Sequence, residues 1–267
     1  MISLQKSWFR DFLPAKIQVL LKFWLNRARG RLEREVQLLR WLVKPGDRVL
    51  DIGGNRGVYA YSLWRLGARV EVFEPNPVCA DVLGKWAKGK DRVRVHDIAL
   101  SDNLGKAELH IPIDTSGVEH DASASLEHDD FSCARNVQVK LRTLDSFDFA
   151  EVVFIKVDVE GHESKVLYGA EQTIKFSSPA LLIEIEQRHN RSDIEDIFDL
   201  LASWGYQGFY LDQGKLHNLI EFVLARDQAA SNFGVVGSRY INNFLFLHQS
   251  RLDSGEYKDL FQSWGHE

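Results

Sequence analysis

From Arg48 onward, short apolar runs alternate with stretches whose hydrophobic positions recur every three or four residues. The runs at 48–52, 70–74, 92–97, 152–157 and 180–186 predict strands, and the stretches near 57–66, 77–88, 162–175 and 192–204 predict helices. Strands alternating with helices imply parallel βαβ units, hence a central sheet covered on both faces. After Trp204-Gly205 the pattern changes to two further apolar runs, 206–211 and 243–247, which predict an antiparallel pair closing the sheet. A helical or irregular excursion around 220–238 separates them. The expectation is an α/β fold with a mostly parallel sheet of seven strands.

One segment interrupts the alternation. Residues 104–142 follow a two-residue period in Lys106–Ile111 and Val137–Leu141, around a polar loop from Asp114 to Asn136. This predicts an inserted β-hairpin carrying a loop over the carboxyl edge of the sheet, where long polar loops often select a substrate. The loop holds His120, Asp121, Ser123, Ser125, His128, Asp129 and Asp130, without a recognised metal-ligand spacing. Ahead of the sheet, residues 1–45 predict basic amphipathic helices, with Trp8, Phe9, Phe12, Leu13, Ile17, Leu20, Leu21, Phe23 and Trp24 at roughly helical spacing. The layout is therefore 1–45 helical, 46–250 the main domain, and 251–267 a helix or tail.

Charge sharpens that division. Residues 1–44 carry ten Lys or Arg against three acids, a balance of +7, whereas the chain as a whole is at −5, which leaves −12 for the remainder. Packing on its own domain or on a twin subunit is the favoured use of the basic segment, with contact to a membrane or glycolipid as the alternative. An acidic body argues against nucleic acid as a partner. A chain of 267 residues with 45% hydrophobic content can bury the core of one such domain. Its two cysteines, Cys79 and Cys133, form no C-x-x-C pair and predict neither a thiolate zinc site nor a disulfide framework. No apolar run reaches the roughly 18 residues of a membrane span, so a cytoplasmic protein is expected.

The chemistry gathers at strand ends. Val49-Leu-Asp-Ile-Gly-Gly-Asn-Arg-Gly57 joins a strand to a helix through a glycine turn whose backbone can approach a ligand closely. Glu74 follows Gly53 by 21 residues, ending the second strand at the offset where a carboxylate accepts hydrogen bonds from ribose hydroxyls. A nucleoside ligand is implied. The dinucleotide fingerprint G-x-G-x-x-G is absent, since its second and third glycines would fall at Asn55 and Val58. What stands is D-x-G-G-x-x-G, which resembles the cofactor loop of class I S-adenosylmethionine-dependent methyltransferases, with Asp51 suited to a cationic ligand end.

A third segment, Val152-Val-Phe-Ile-Lys-Val-Asp-Val-Glu-Gly-His-Glu163, is an apolar strand that runs into a cluster of Asp158, Glu160, His162 and Glu163. With Leu167–Ala170, Ala99–Asp102, Ala124–Leu126, Thr143–Asp145, Leu182–Glu184 and Asn243–Phe246, it resembles the FkbM family of methyltransferases over roughly residues 46–247. The resemblance implies a Rossmann-like, seven-stranded, mostly parallel sheet and O-methylation of a sugar or polyketide hydroxyl. It also implies that Gly53, Gly54 and Asn55 hold the methionine part of S-adenosylmethionine, Glu74 the ribose, and Asp97 with Ile98 the adenine. Ser125 is expected to face the pocket, because its ASL segment matches the family.

Methyl transfer from a sulfonium needs alignment and a base for the acceptor proton. Asp158 is the first candidate base, followed by Glu160 and His162. Glu163 is expected to be a first-turn acid complementing a helix dipole. Asp158 could instead bind the ligand's ammonium, or hold a divalent cation with Glu160 or Glu184, although no ligand motif specifies a metal. Glu184 and Glu186 are expected to diverge, so that at most one enters the pocket. The acceptor is expected to be a sugar hydroxyl in a glycan, glycolipid or glycosylated metabolite. A non-sugar hydroxyl, a nucleoside-binding oxidoreductase and a non-catalytic scaffold are the alternatives, and a homo-oligomer is compatible with all of them.

Overall fold

The computed structural model describes residues 14–127, 133–235 and 238–265. Its strands are β1 Arg48–Ile52, β2 Arg69–Phe73, β3 Val93–His96, β4 Ala99–Leu100, β5 Gly105–Pro112, β6 Ala134–Arg142, β7 Val152–Val157, β8 Ala180–Glu184, β9 Tyr206–Asp212, β10 Lys215–Asn218 and β11 Asn243–His248. The main sheet has the order β10-β9-β11-β8-β7-β1-β2-β3. Its β8-β7-β1-β2-β3 portion is parallel, and β11, β9 and β10 are antiparallel to their neighbours. The sheet therefore has eight strands rather than seven. The additional strand is β10, paired to β9 through Gln213 (φ 48°) and Gly214 (φ 82°), a two-residue hairpin whose positive φ values match the twist of the flanking strands.

The two-residue period of the central strands sorts their side chains into two layers. Val49, Val70, Phe154 and Leu182 face one side, while Leu50, Ile52, Ile155, Val157, Leu181 and Ile183 face the other. Strands buried on both faces account for the unbroken apolar runs. The first layer is covered by α1 Ala15–Ala28, α2 Val58–Arg65, α3 Pro77–Ala87 and, near the C-terminus, by Lys258–Trp264. The second is covered by α4 Glu163–Tyr168, α5 Glu171–Ser177 and α6 Glu195–Ser203. The single helix expected over 162–175 is broken, because the distant Asp145 carboxylate accepts from Gln172 N (3.0 Å) and Thr173 N (2.8 Å) and so starts α5 afresh.

The described part of the basic segment, from residue 14 onward, packs on its own domain. α1 buries Val19 and Phe23 in the first layer, with the Phe23 ring 4.9 Å from that of Tyr61. Ile17 and Trp24, on its other side, are about half exposed. Trp8, Phe9, Phe12 and Leu13 lie outside the described residues. No helix among the described residues is long and apolar enough to cross a membrane.

The inserted hairpin is present as β5 and β6, extended to a three-stranded sheet by β4, which pairs parallel to β6. Ala99, Leu109, Ile111 and Val139 form its own small core. The loop between β5 and β6 returns to the hairpin through a bridge between His110 and Ser125, while His128, Asp129 and Asp130 lie outside the described residues. Because β1 lies between β2 and β7, the connections leaving it diverge, and a crevice opens at the carboxyl ends of these strands.

Candidate active site

The crevice holds a cavity of about 310 Å³. The turn after β1 folds across the end of β7. Gly53 has φ +80°, and a Cβ there would come within 1.8 Å of the Asp158 carbonyl oxygen, so only glycine lets the two strand ends close on one another. Gly53 N and Gly54 N donate to Phe73 O at 2.9 and 3.1 Å, which locks the turn to β2. Asn55 N donates to Glu74 Oε2 (2.6 Å) and Asn76 N to Glu74 Oε1 (2.7 Å). Burial pushes the Glu74 carboxyl up to about 7 against these two donors, with Asp51 and Asp121 adding to the shift. Asp51 is 2% exposed, and its Oδ2 has no hydrogen-bond partner among the described residues. Burial raises Asp51 to about 7, with Lys156 opposing and Asp158 adding.

Asp158, Glu160 and Glu184 line the cavity as well. The Asp158 side chain keeps 29% exposure, and burial raises its pKa. Glu160, at φ +52°, pairs with His189 Nδ1 (2.5 Å); burial raises it too, against that histidine. Between these acids stands Lys156, fully buried, donating to Val157 O (3.1 Å) and Asn243 Oδ1 (3.2 Å) and lying 4.0 Å from Asp158 Oδ2. Burial works against its charge, but Asp158, Glu184, Glu33 and Asp51 outweigh it, and the pKa is raised. Among the described residues no group of three His, Cys, Asp or Glu is arranged to hold a metal ion.

Several expected residues stand elsewhere or are differently engaged. His162 lines the cavity, yet both ring nitrogens are partnered, Nδ1 with Glu127 Oε1 (2.6 Å) and Nε2 with Ser101 Oγ (3.0 Å), so it ties the insert to the strand end. Ser125 is 1% exposed and lines no part of the cavity. Its hydroxyl donates to Glu160 O (2.7 Å), while its neighbours Ala124 and Leu126 face the cavity. Ile98 lines the cavity, but Asp97 is exposed, in a separate depression between α3 and β6. Glu163 is a first-turn acid of α4 but is buried, accepting from Gly161 N (2.9 Å) and Asn190 Nδ2 (3.2 Å). Glu184 and Glu186 do not diverge: two residues apart they share a side, and Asn242 Nδ2 donates to both (2.6 and 3.2 Å). Only Glu184 lines the cavity.

Other contributors were not singled out from the sequence. Lys156 is legible in hindsight as a charge in the middle of an apolar strand, which is rare without a partner. The Arg56 guanidinium forks onto Asp121 Oδ2 of the insert (3.1 and 2.5 Å), and Asn55 accepts from Lys22 of α1 (3.2 Å). Tyr59 donates to Glu33 (2.6 Å) beside the same cavity. These contacts join segments far apart in sequence and have no local pattern that announces them.

Comparison with known proteins agrees with this geometry. The profile of the Methyltransferase FkbM domain matches residues 51–207. The chain is 29% identical over 166 residues to the 2-O-methyltransferase NoeI of Sinorhizobium fredii, covering 56% of this chain and 68% of that protein. It is 25% identical over 215 residues to the hexuronic acid methyltransferase AglP of Haloferax volcanii, covering 79% and 84%. Among solved structures, the methyltransferase FkbM of Methylobacillus flagellatus KT aligns with a TM-score of 0.49 at 18% identity. That alignment covers 76% of this chain and 44% of the other, so the chain spans less than half the length of that structure.

Proposed function

This chain belongs to the FkbM methyltransferase family, and from that premise we propose that it methylates a hydroxyl of a sugar with S-adenosylmethionine as donor. The observation that carries the reading is the convergence of Asp51, Gly53, Glu74 and Asp158 on one cavity, with the buried Asp51 Oδ2 without a donor among the described residues. An acceptor-only oxygen held in a cleft fits a cationic ligand. Asp51 would hold the positive amino-acid end, the turn at Gly53, Gly54 and Asn55 its backbone, Glu74 the ribose, and Ile98 the base. The donor supplies a methyl group on an already activated leaving sulfur.

The remaining work falls to the protein. Asp158 projects into the cavity with its affinity for protons raised by burial, which suits it to take the proton of an acceptor hydroxyl as the new bond forms. Lys156, 4.0 Å away, works against that rise. Glu160 and Glu184 flank it. The sugar class rests on the relatives, one a 2-O-methyltransferase and the other a hexuronic acid methyltransferase.

The test has two arms. Calorimetric titration with S-adenosylhomocysteine should give binding that Glu74→Ala weakens by about tenfold or more, the scale of a lost pair of charge-assisted hydrogen bonds. Transfer of labelled methyl into a panel of glycosides should fall by about 10²-fold or more in kcat for Asp158→Asn, with donor affinity nearly unchanged. Near-normal turnover in that variant removes Asp158 as the base, and a chain that takes up neither donor nor product contradicts the whole reading.

A further inference from the structure

On the proposed function, the acceptor hydroxyl meets the part of the cavity lined by Asp158, Glu160 and Glu184. Beyond that carboxylate wall stands a platform built from two loops, the turn after β8 and the segment before β11. Phe233 is 47% exposed, and the Arg188 guanidinium lies 3.7 Å from its ring centroid. Tyr240 meets the same ring edge-on, centroids 5.4 Å apart at 65°. Glu186 ties Arg188 to Tyr240: it accepts from Arg188 Nε and Nη2, and from Tyr240 Oη (2.7 Å). The Asn242 amide then joins this platform to the cavity, donating to Glu186 (3.2 Å) and to the lining residue Glu184 (2.6 Å). Arg188 is followed directly by His189, the partner of Glu160.

The geometry points to Phe233, Arg188 and Tyr240 as the acceptor subsite, a stacking platform for a pyranose ring next to the one being methylated or for that ring itself. The proposal rests on the sugar O-methyltransferase reading and deepens it. A sugar ring presents an apolar face of C–H groups and a rim of hydroxyls, so it matches an exposed aromatic face edged by polar groups. The Glu186 carboxylate takes up two of the Arg188 nitrogens and neutralises its charge, while Arg188 remains 41% exposed with further N–H groups to offer. A planar guanidinium already fixed on a carboxylate and an aromatic face loses little freedom when a hydroxyl docks, which favours recognition by a prearranged surface. The carboxylate that anchors Arg188 and Tyr240 shares the Asn242 amide with Glu184 of the acid cluster, so the platform is tied to the cavity.

Phe233 is far enough from the core that its replacement should leave the fold intact, which the thermal midpoint checks. With whichever glycoside of the panel the parent methylates best, Phe233→Ala should raise the acceptor KM by about tenfold with kcat within about threefold, the scale of one lost aromatic stack. Phe233→Trp, with a larger face, should restore the parent KM, which a merely structural role would not do. S-adenosylhomocysteine affinity should stay unchanged in both. An unchanged acceptor KM in Phe233→Ala overturns the subsite and leaves the sugar reading standing. If the parent binds S-adenosylhomocysteine but labels no glycoside, the sugar reading fails and takes the subsite with it.

Discussion

Lys156 has no exposure to solvent and lies among Asp51, Asp158 and Glu184 on neighbouring strand ends. A buried ammonium is costly alone, and so is each buried carboxylate; held together they offset one another. Lys156→Met keeps the length of the side chain and removes the charge, which leaves the acids to repel. At pH 8 the variant should be less stable by about 3–5 kcal/mol, the penalty of an uncompensated buried charge. Toward pH 5 the loss should shrink, because the same acids can then fold protonated. Urea midpoints at the two pH values decide it, and an equal loss at both would assign the effect to packing. Single residues were unevenly legible from sequence. Asp51, Gly53, Glu74, Ile98 and Asp158 belong to strand ends, so a strand assignment carries them to the cavity. Lys156 sits within an apolar strand and is marked by no motif, whereas of the adjacent Asp97 and Ile98 only Ile98 is turned inward.

At the scale of elements, the insert decides how the acid cluster is held. Ser125 donates to Glu160 O and its Oγ accepts from Glu127 N (3.1 Å), and Glu127 in turn carries His162 and Lys165 (2.6 and 2.7 Å). The His162 bond and Lys165 together hold the Glu127 carboxyl at about 2, below the usual range, despite its partial burial. One hydroxyl therefore fixes the left-handed Glu160 backbone from outside the main sheet. Ser125→Ala should orphan that carbonyl and cost about 1–3 kcal/mol, lowering methyl transfer while S-adenosylhomocysteine affinity is retained. A variant with parent stability and turnover would show that the insert does not support this site. The hairpin itself was legible, because a two-residue period over eight or nine residues is a strong signal. A strand of two residues such as β4, and the mixed polarity of β10, carry no such signal, although the Gln213-Gly214 turn marks where β10 begins. The contacts of the loop depend on tertiary approach across some 35 residues and no local pattern encodes them.

For the whole molecule, the concentration of acid at one sheet edge makes folding and donor binding pull on the same protons. Burial raises Asp51, Glu74 and Glu163 to about 7, above their values in an unfolded chain. Between the ordinary carboxylate range and about pH 7 the folded state therefore binds more protons than the unfolded state, and the stability of the ligand-free protein should fall as pH rises through that window. Donor binding should do the reverse, since Asp51 must be ionised to meet a positive charge, so affinity for S-adenosylmethionine should rise from pH 5 to pH 8 with release of protons. S-adenosylhomocysteine carries the same ammonium and should release protons in the same way. Titrations in buffers of differing ionisation enthalpy count those protons directly, and a thermal midpoint followed from pH 5 to pH 8 without ligand tests the first half of the linkage. A midpoint that climbs through pH 7, or binding of either ligand without proton release, would mean that these carboxylates are already ionised in the folded protein.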